Sequence, residues 1–263
     1  MKILFFGDIV GRLGREAIKK HLPDIQKKLR PDFILANAEN LAHGSGISEK
    51  TIREMQAAGI DFFTSGNHIL DNQNGLDYLK KTDVPIIIPA NLDMKCPGKI
   101  YQIITINGTK ILIMNLLGQV FINKKTTSPF KTADLILAAA KKEKPNIILV
   151  DIHAEATSEK QALWYYLDGR VSAVFGTHTH VATANPRISK KGTALVEDIG
   201  MVGAQDAVLG DKKENVLERF LTGQKVALEP AEKGPIIING VLLDISNRTG
   251  RVTSIIRVDQ VIK

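Results

Sequence analysis

Cysteine is almost absent from this chain. Cys96 is the single one among 263 residues, so no internal disulfide can form, and a reducing compartment, the cytoplasm, is the expected location. Long hydrophobic runs are absent too. The opening Met1-Lys2-Ile3-Leu4-Phe5-Phe6 is apolar but stops at Gly7-Asp8. That is too short for a signal-peptide core or a membrane span, so no membrane partner is expected. No repeat or low-complexity stretch stands out, and no RNA-binding motif is visible. Acidic residues are the scarcer sign: 35 Lys and Arg against 28 Asp and Glu leave a net charge of +7. A basic surface attracts phosphate-bearing substrates. The lysines are spread along the chain rather than blocked, so a plain solvated surface is an equal reading.

Hydrophobic residues make up 44% and charged residues 24%, the balance of a soluble globular protein. The length suits one large α/β domain over 1–263, and no convincing linker divides it; the polar run 118–131 is its weakest point. Short apolar runs alternate with amphipathic stretches. They predict strands at 3–6, 33–36, 61–64, 84–88, 101–106, 110–115, 146–152 and 171–175, and helices over 12–29, 49–58, 72–80, 132–142 and 158–167. Asn107-Gly108 is a two-residue hairpin signal. The tail changes character: 236–245 and 252–258, separated by Asn247-Arg248-Thr249-Gly250, read as an antiparallel hairpin. Alternation followed by hairpins argues for a mixed sheet, or two stacked sheets, flanked by helices. The apolar tail either completes a sheet or pairs with a second copy; a homo-oligomer is the expected assembly.

The polar residues are the informative part, because the predicted strands end in them. Strand one ends at Gly7-Asp8, strand two at Asn37-Ala38-Glu39-Asn40, strand three at Gly66-Asn67-His68. Two later strands end at Asp151-Ile152-His153 and at Gly176-Thr177-His178-Thr179-His180. In open α/β sheets ligands bind beyond the carboxyl ends of the strands, so five such clusters would converge on one site. They offer carboxylates, carboxamides and imidazoles, a donor set for iron, manganese or zinc with no thiolate. Each element alone has a plainer reading. Asp8 can cap the next helix, Glu39-Asn40 can be a loop pair, Gly66-Asn67 is a turn dipeptide, and His153 can be a hydrogen-bonded core histidine. His178 and His180 are more specific, since in an extended segment residues two apart face the same way. Joint occurrence at strand ends is what favours a metal site.

In this order and spacing the blocks resemble the calcineurin-like metallophosphoesterases, and within them the YmdB-like branch. The segments that carry the likeness are Gly7-Asp-Ile-Val-Gly11, Asn37-Ala-Glu-Asn40, Ser65-Gly-Asn-His68 with Asp71, Asp151 through Lys160, Gly176-Thr-His-Thr-His180 and Asp198-Ile-Gly-Met201. The resemblance implies a four-layer α-β-β-α sandwich of two mixed sheets. It also implies two metal ions, with iron expected and manganese or zinc as alternatives, and phosphodiester hydrolysis that includes 2′,3′-cyclic nucleotides. Two departures from the wider superfamily agree with this branch. Asp8 is followed by Ile9 and Val10 rather than by a histidine two positions on, and Asn40 is the candidate replacement. The bridging carboxylate is Glu39, one methylene longer than the usual Asp.

Roles follow. Glu39 is the expected bridge. Asp8, Asn40 and His180 would complete one metal's ligands, and Asn67, His153 and His178 the other's; the split between His178 and His180 follows the resemblance alone. The expected nucleophile is a metal-bridging hydroxide, with His68 as general acid for a poor alkoxide leaving group. Asp71 orients His68 or caps the next helix. Arg12, His43, Gly44 and Ser45 are candidate substrate contacts, and His21 is read as structural. Two rival functions remain: a metal-containing regulatory or RNA-binding protein, and a dinuclear-iron redox protein.

Overall fold

The computed structural model describes residues 1–92 and 96–263. In chain order the elements are β1 (Lys2–Ile9), α1 (Gly11–Leu29), β2 (Phe33–Asn37), α2 (Glu49–Ala57), β3 (Phe62–Thr64), α3 (Gln73–Leu79), β4 (Tyr101–Ile106), β5 (Thr109–Leu117), α4 (Pro129–Ala140), β6 (Ile147–His153), α5 (Thr157–Leu167), β7 (Ala173–Thr177), β8 (Arg187–Ile188), β9 (Ala194–Val196), β10 (Met201–Ala204), α6 (Lys213–Thr222), β11 (Ile236–Ile238), β12 (Gly240–Ile245), β13 (Val252–Arg257) and β14 (Gln260–Ile262). One eight-stranded sheet runs β13-β12-β1-β10-β11-β14, with β2 beside β1 and β3 beside β2; a six-stranded sheet runs β4-β5-β6-β7-β9-β8. Both sheets mix parallel and antiparallel pairs.

The period-2 alternation of the buried strands builds the layers. Ile3 and Phe5 of β1 face the second sheet and meet Ile111, Ile113, Leu149 and Phe175 in one core cluster. Phe5 and Phe175 pack edge to face across that layer, ring centroids 5.0 Å apart. The neighbouring residues Leu4 and Phe6 point the other way, into a cluster with Ile18, Leu22 and Ile25 of α1, Ile52 and Met55 of α2 and Leu79 of α3. On the second sheet Leu112, Met114, Val150 and Ile152 face outward to Ala133 and Ile136 of α4 and Leu163, Trp164 and Leu167 of α5. The result is helix, sheet, sheet, helix, the four-layer class expected.

Two expected elements differ, each for a local reason. The run 84–88 is not a strand but makes two isolated bridges, Phe63 with Ile86 and Ile87 with Lys99. Pro85 within it and Pro89 directly after it lack the N–H that a ladder needs. The run 236–245 is broken at Asn239, whose side chain accepts from Met201 N and donates to Asp259. Its halves serve different neighbours: β11 pairs with β10 and β14, β12 with β1 and β13. The tail therefore completes the first sheet of its own chain. Hairpin β4–β5 forms as expected, with Asn107 and Gly108 both at positive φ, 49° and 76°. Strands β8 to β10 and helix α6 have no counterpart in the sequence reading.

Candidate metal centre

Strands β1, β2 and β3 are mutually parallel, as are β5, β6, β7 and β9, so their carboxyl ends deliver the polar clusters to common edges. There the two sheets bring Asp8, Glu39, Asn40, His153, His178 and His180 into contact. Glu39 is central. Its Oε1 lies 3.0 Å from His153 Nε2 and accepts from Asn40 Nδ2 at 3.3 Å; its Oε2 accepts the backbone N–H of His68 at 3.1 Å. His178 Nδ1 stands 3.0 Å from His153 Nε2. Ligating atoms of Glu39, His153 and His178 all lie within 4.8 Å of one another. His180 joins the other side, its Nε2 3.7 Å from Asp8 Oδ1 and 3.1 Å from Asn40 Nδ2.

The outer nitrogen of each imidazole has a partner that leaves the inner one directed at the cluster. His153 Nδ1 lies 2.9 Å from Thr177 Oγ1, which itself donates to Asp151 Oδ1 at 2.8 Å, so the ring donates from Nδ1. His180 Nδ1 donates to the Leu209 carbonyl at 2.7 Å, and His178 Nε2 faces Glu155 Oε2 at 3.2 Å. Such outer partners orient metal-ligating histidines. Two buried oxygens here, Asp8 Oδ1 and Asn67 Oδ1, have no hydrogen-bond partner. Buried acceptors left unpaired are costly, and bound cations would satisfy both.

The electrostatics agree. Burial alone would raise the carboxyl of Glu39, but His153 and His68 outweigh it and hold it down at about 2. Burial likewise opposes ionisation of Asp8, and His180 and His153 bring it below its ordinary value. Burial disfavours the charged form of His180, yet the contact with Asp8 pushes it up to about 9. His178, by contrast, is pushed down to about 4 by burial and by its neighbour His153. Two buried carboxylates therefore demand positive charge at this spot, and metal ions of the oxygen- and nitrogen-preferring kind fit the donor set.

Two features differ from expectation. The segment 178–180 is not extended: β7 ends at Thr177, and His178 and His180 have φ of 100° and 61°. Their convergence comes from a loop clamp instead. Asp198 Oδ2 accepts Thr179 N at 3.0 Å, Thr179 Oγ1 at 2.8 Å and Lys160 Nζ at 2.8 Å. Positive φ at non-glycine residues is strain that the surroundings must hold in place. Asn40, expected to give an oxygen, turns its amide nitrogen inward; oxygen ligation requires exchange of the amide's N and O positions.

Residues whose roles the sequence reading left blank complete the support. Asn37 donates to Ser65 O and Asp151 Oδ2, both at 3.1 Å, and accepts Glu39 N at 3.0 Å. Burial lifts the Asp151 carboxyl to about 6, although Thr64 and Thr177 donate to it. Lys160 and Asp198 are both buried. Lys160→Met would strand a buried carboxylate, which retains donors from Thr179 and Gly200. A loss of about 3 kcal/mol is expected, the low end for breaking such a pair, read from the urea unfolding midpoint.

His68 stands apart from the ligands. Its side chain is 41% exposed, and Nδ1 donates to Asp71 Oδ2 at 2.6 Å. Ser45 Oγ lies 3.2 Å from the same nitrogen and donates to Asp71 Oδ2 at 3.1 Å; Lys124 Nζ is 3.3 Å from Asp71 Oδ1. A carboxylate can only accept, so Nδ1 keeps its hydrogen and Nε2 is the nitrogen left free. The other candidate contacts are less engaged. Arg12 pairs with Glu16 and Glu232, at 3.0 and 3.3 Å, and His43 is exposed. Gly44 packs against Pro230. His21 Nε2 is buried without a partner in α1. Among the described residues no helix is long and apolar enough to cross a membrane.

Comparison with known proteins adds to this geometry. A family model described as "YmdB-like protein" matches residues 4–258. A 2′,3′-cyclic-nucleotide 2′-phosphodiesterase of Bacillus subtilis (strain 168) is 42% identical over 259 residues, spanning 98% of this chain and 96% of that protein. The crystal structure of a novel phosphatase from Mycoplasma pneumoniae superposes with a TM-score of 0.93 at 34% identity, covering 100% of this chain and 94% of that one. A hypothetical protein from Thermus thermophilus gives a TM-score of 0.92 at 36% identity, with 100% of both chains covered.

Proposed function

This chain belongs to the YmdB-like family, and on that premise we propose that it is a metal-dependent phosphodiesterase acting on 2′,3′-cyclic nucleotides or related small phosphodiesters. The observation that carries the reading is the cluster of inward-facing donors from Asp8, Glu39, His153, His178 and His180, with two unpartnered buried oxygens beside it. Glu39 would be shared between two ions. Asp8, His180 and Asn40, once its amide is turned, would hold one. Asn67, His153 and His178 would hold the other. Bound there, the ions supply charge to neutralise the phosphoryl oxygens and to acidify water. Iron, manganese and zinc all suit these ligands.

The chain's own contribution to bond cleavage is proton delivery. A ribose oxygen leaves as a strongly basic alkoxide unless it is protonated as the bond to phosphorus breaks. With Nδ1–H held by Asp71, beside Ser45, the proton to be given is the one on Nε2 of the doubly protonated ring, and the neutral Nδ1–H imidazole is left once it has been transferred. Ser45 would thus help to fix the ring. Ser45→Ala removes a hydrogen bond worth about 1 kcal/mol. It should lower kcat about fivefold with metal content unchanged, which steady-state kinetics and elemental analysis check together.

The reading is tested on protein purified without added metal. Elemental analysis should find about two metal ions per chain, and the protein should hydrolyse 2′,3′-cyclic AMP, losing that activity on chelation and regaining it on metal return. A pure protein that carries metal but leaves every phosphodiester in a substrate panel intact would overturn the reading.

A further inference from the structure

The opposite end of the second sheet carries a separate feature. Strand β6 runs from Ile147 to His153, so its start lies ~20 Å from the metal-ligand end. At that start a cleft of about 290 Å³ opens, bounded by Asn146, Arg170, Lys191, Thr249 and Arg251. Three of these are cations, and no carboxylate lines the cleft among the described residues. An adjoining hollow of about 340 Å³ shares Pro145, Ile148 and Arg170 and adds Lys141 and Lys144, again without an acid.

The lining is built for donation. Arg170 pairs with Asp134, and Lys191 Nζ is 3.7 Å from Asp168, whose carboxylate already accepts from Ser189. Arg251 makes no ion pair among the described residues. Asn146 Oδ1 accepts Lys110 N at 3.1 Å, so its amide nitrogen remains a donor. A side chain at residue 192 would meet the stem of Arg251 at 2.8 Å; glycine there, at φ 89°, lets that stem pack close. Arg251 is thus left without a counter-charge and the carboxylate beside Lys191 stands 3.7 Å away, so an anion in the cleft would offset the repulsion among the three cations. The fork of Arg251, the N–H groups of Arg170 that Asp134 does not take, an ammonium and an amide offer more donors than the two oxygens of a carboxylate can use, and they match the oxygens of a phosphoryl group. No aromatic side chain lines the cleft, so it has no stacking platform for a base.

We propose that this cleft is a second, non-catalytic site that binds a phosphoryl-bearing small molecule through Arg170, Lys191 and Arg251. It does not rest on the catalytic reading, since it shares no residue with the metal cluster.

The test is calorimetric titration of the metal-loaded protein with pyrophosphate. Wild type should show a binding site that Lys191→Ala/Arg251→Ala weakens at least about tenfold, with melting temperature and metal content unchanged. The pair Lys191→Gln/Arg251→Gln, which keeps more of the side-chain bulk, should show the same loss. A parallel titration with ADP separates the sources: tighter binding than pyrophosphate assigns a nucleotide, equal binding a free anion, and both must fail in the double variants. The proposal is overturned if the double variants bind pyrophosphate with wild-type stoichiometry and affinity. It is equally overturned if wild type binds pyrophosphate only at a site that Glu39→Gln removes.

Discussion

Replacing His68 by alanine is expected to lower kcat on 2′,3′-cyclic AMP ~10²–10⁴-fold, the range for loss of a positioned general acid, while metal content stays that of the wild type. The separation of the two effects follows from the contacts. The hydrogen bond that ties His68 to the ligand cluster among the described residues is its backbone N–H, which donates to Glu39 Oε2 at 3.1 Å, and alanine keeps that group. The imidazole itself touches Asp71 and Ser45, neither of which is a ligand. Its partial exposure keeps the cost in stability small, within about 0.5 kcal/mol. Leaving-group chemistry gives a second reading of the same variant. An aryl phosphodiester expels a phenolate that needs no proton, so His68→Ala should slow it far less than the ribose ester. Equal slowing of both substrates, or a kcat within about threefold of wild type, would remove His68 from the role of acid.

The strand-end clusters were legible because β-strand chemistry and site chemistry are written in adjacent letters. Buried runs such as Ile147 to Ile152 announce a strand, and a histidine directly after one has to sit at the sheet edge. Strand β1 shows the same with Asp8. The helices α1 to α5 fell near their expected ranges for the corresponding reason, since each packs one apolar stripe on a sheet. What escaped was long-range. The placement of His178 and His180 was expected from an extended backbone, whereas it depends on Asp198, whose hold on Thr179 spans a loop. No local pattern encodes that contact. Lys160, eighteen residues before His178, falls in the helix expected over 158–167 and is buried against Asp198. The chain Asp151, Thr177, His153 is likewise invisible until β6 and β7 are placed side by side, with His153 opposite Thr177. Helix α6 has no counterpart although Val216, Leu217, Phe220 and Leu221 recur at helical spacing; of the four only Val216 is buried, and the other three are exposed.

Gly66→Ala is expected to do to the metals what His68→Ala does not. A β-carbon at this position would lie 2.1 Å from Glu39 Oε2 and 2.4 Å from His153 Nε2, well inside van der Waals contact. The backbone is not the obstacle: Gly66 is not among the residues with positive φ, so alanine is conformationally permitted and the effect is purely steric. Neither neighbour can retreat freely. His153 is held through Nδ1 by Thr177, and Glu39 is tied to the His68 and Asn40 amides. Overpacking of this kind costs ~1–3 kcal/mol, so the protein should still fold, its melting temperature lowered by only a few degrees. Catalysis is the more fragile quantity, because a displacement of about 1 Å in a positioning group can cost ~10²-fold, and here two ligands move together. The expected variant is therefore folded, depleted in metal by elemental analysis, and slower by ~10²-fold or more even when metal is resupplied. Full metal occupancy with near wild-type turnover would show that Glu39 and His153 are not the ligands that hold the reacting centre.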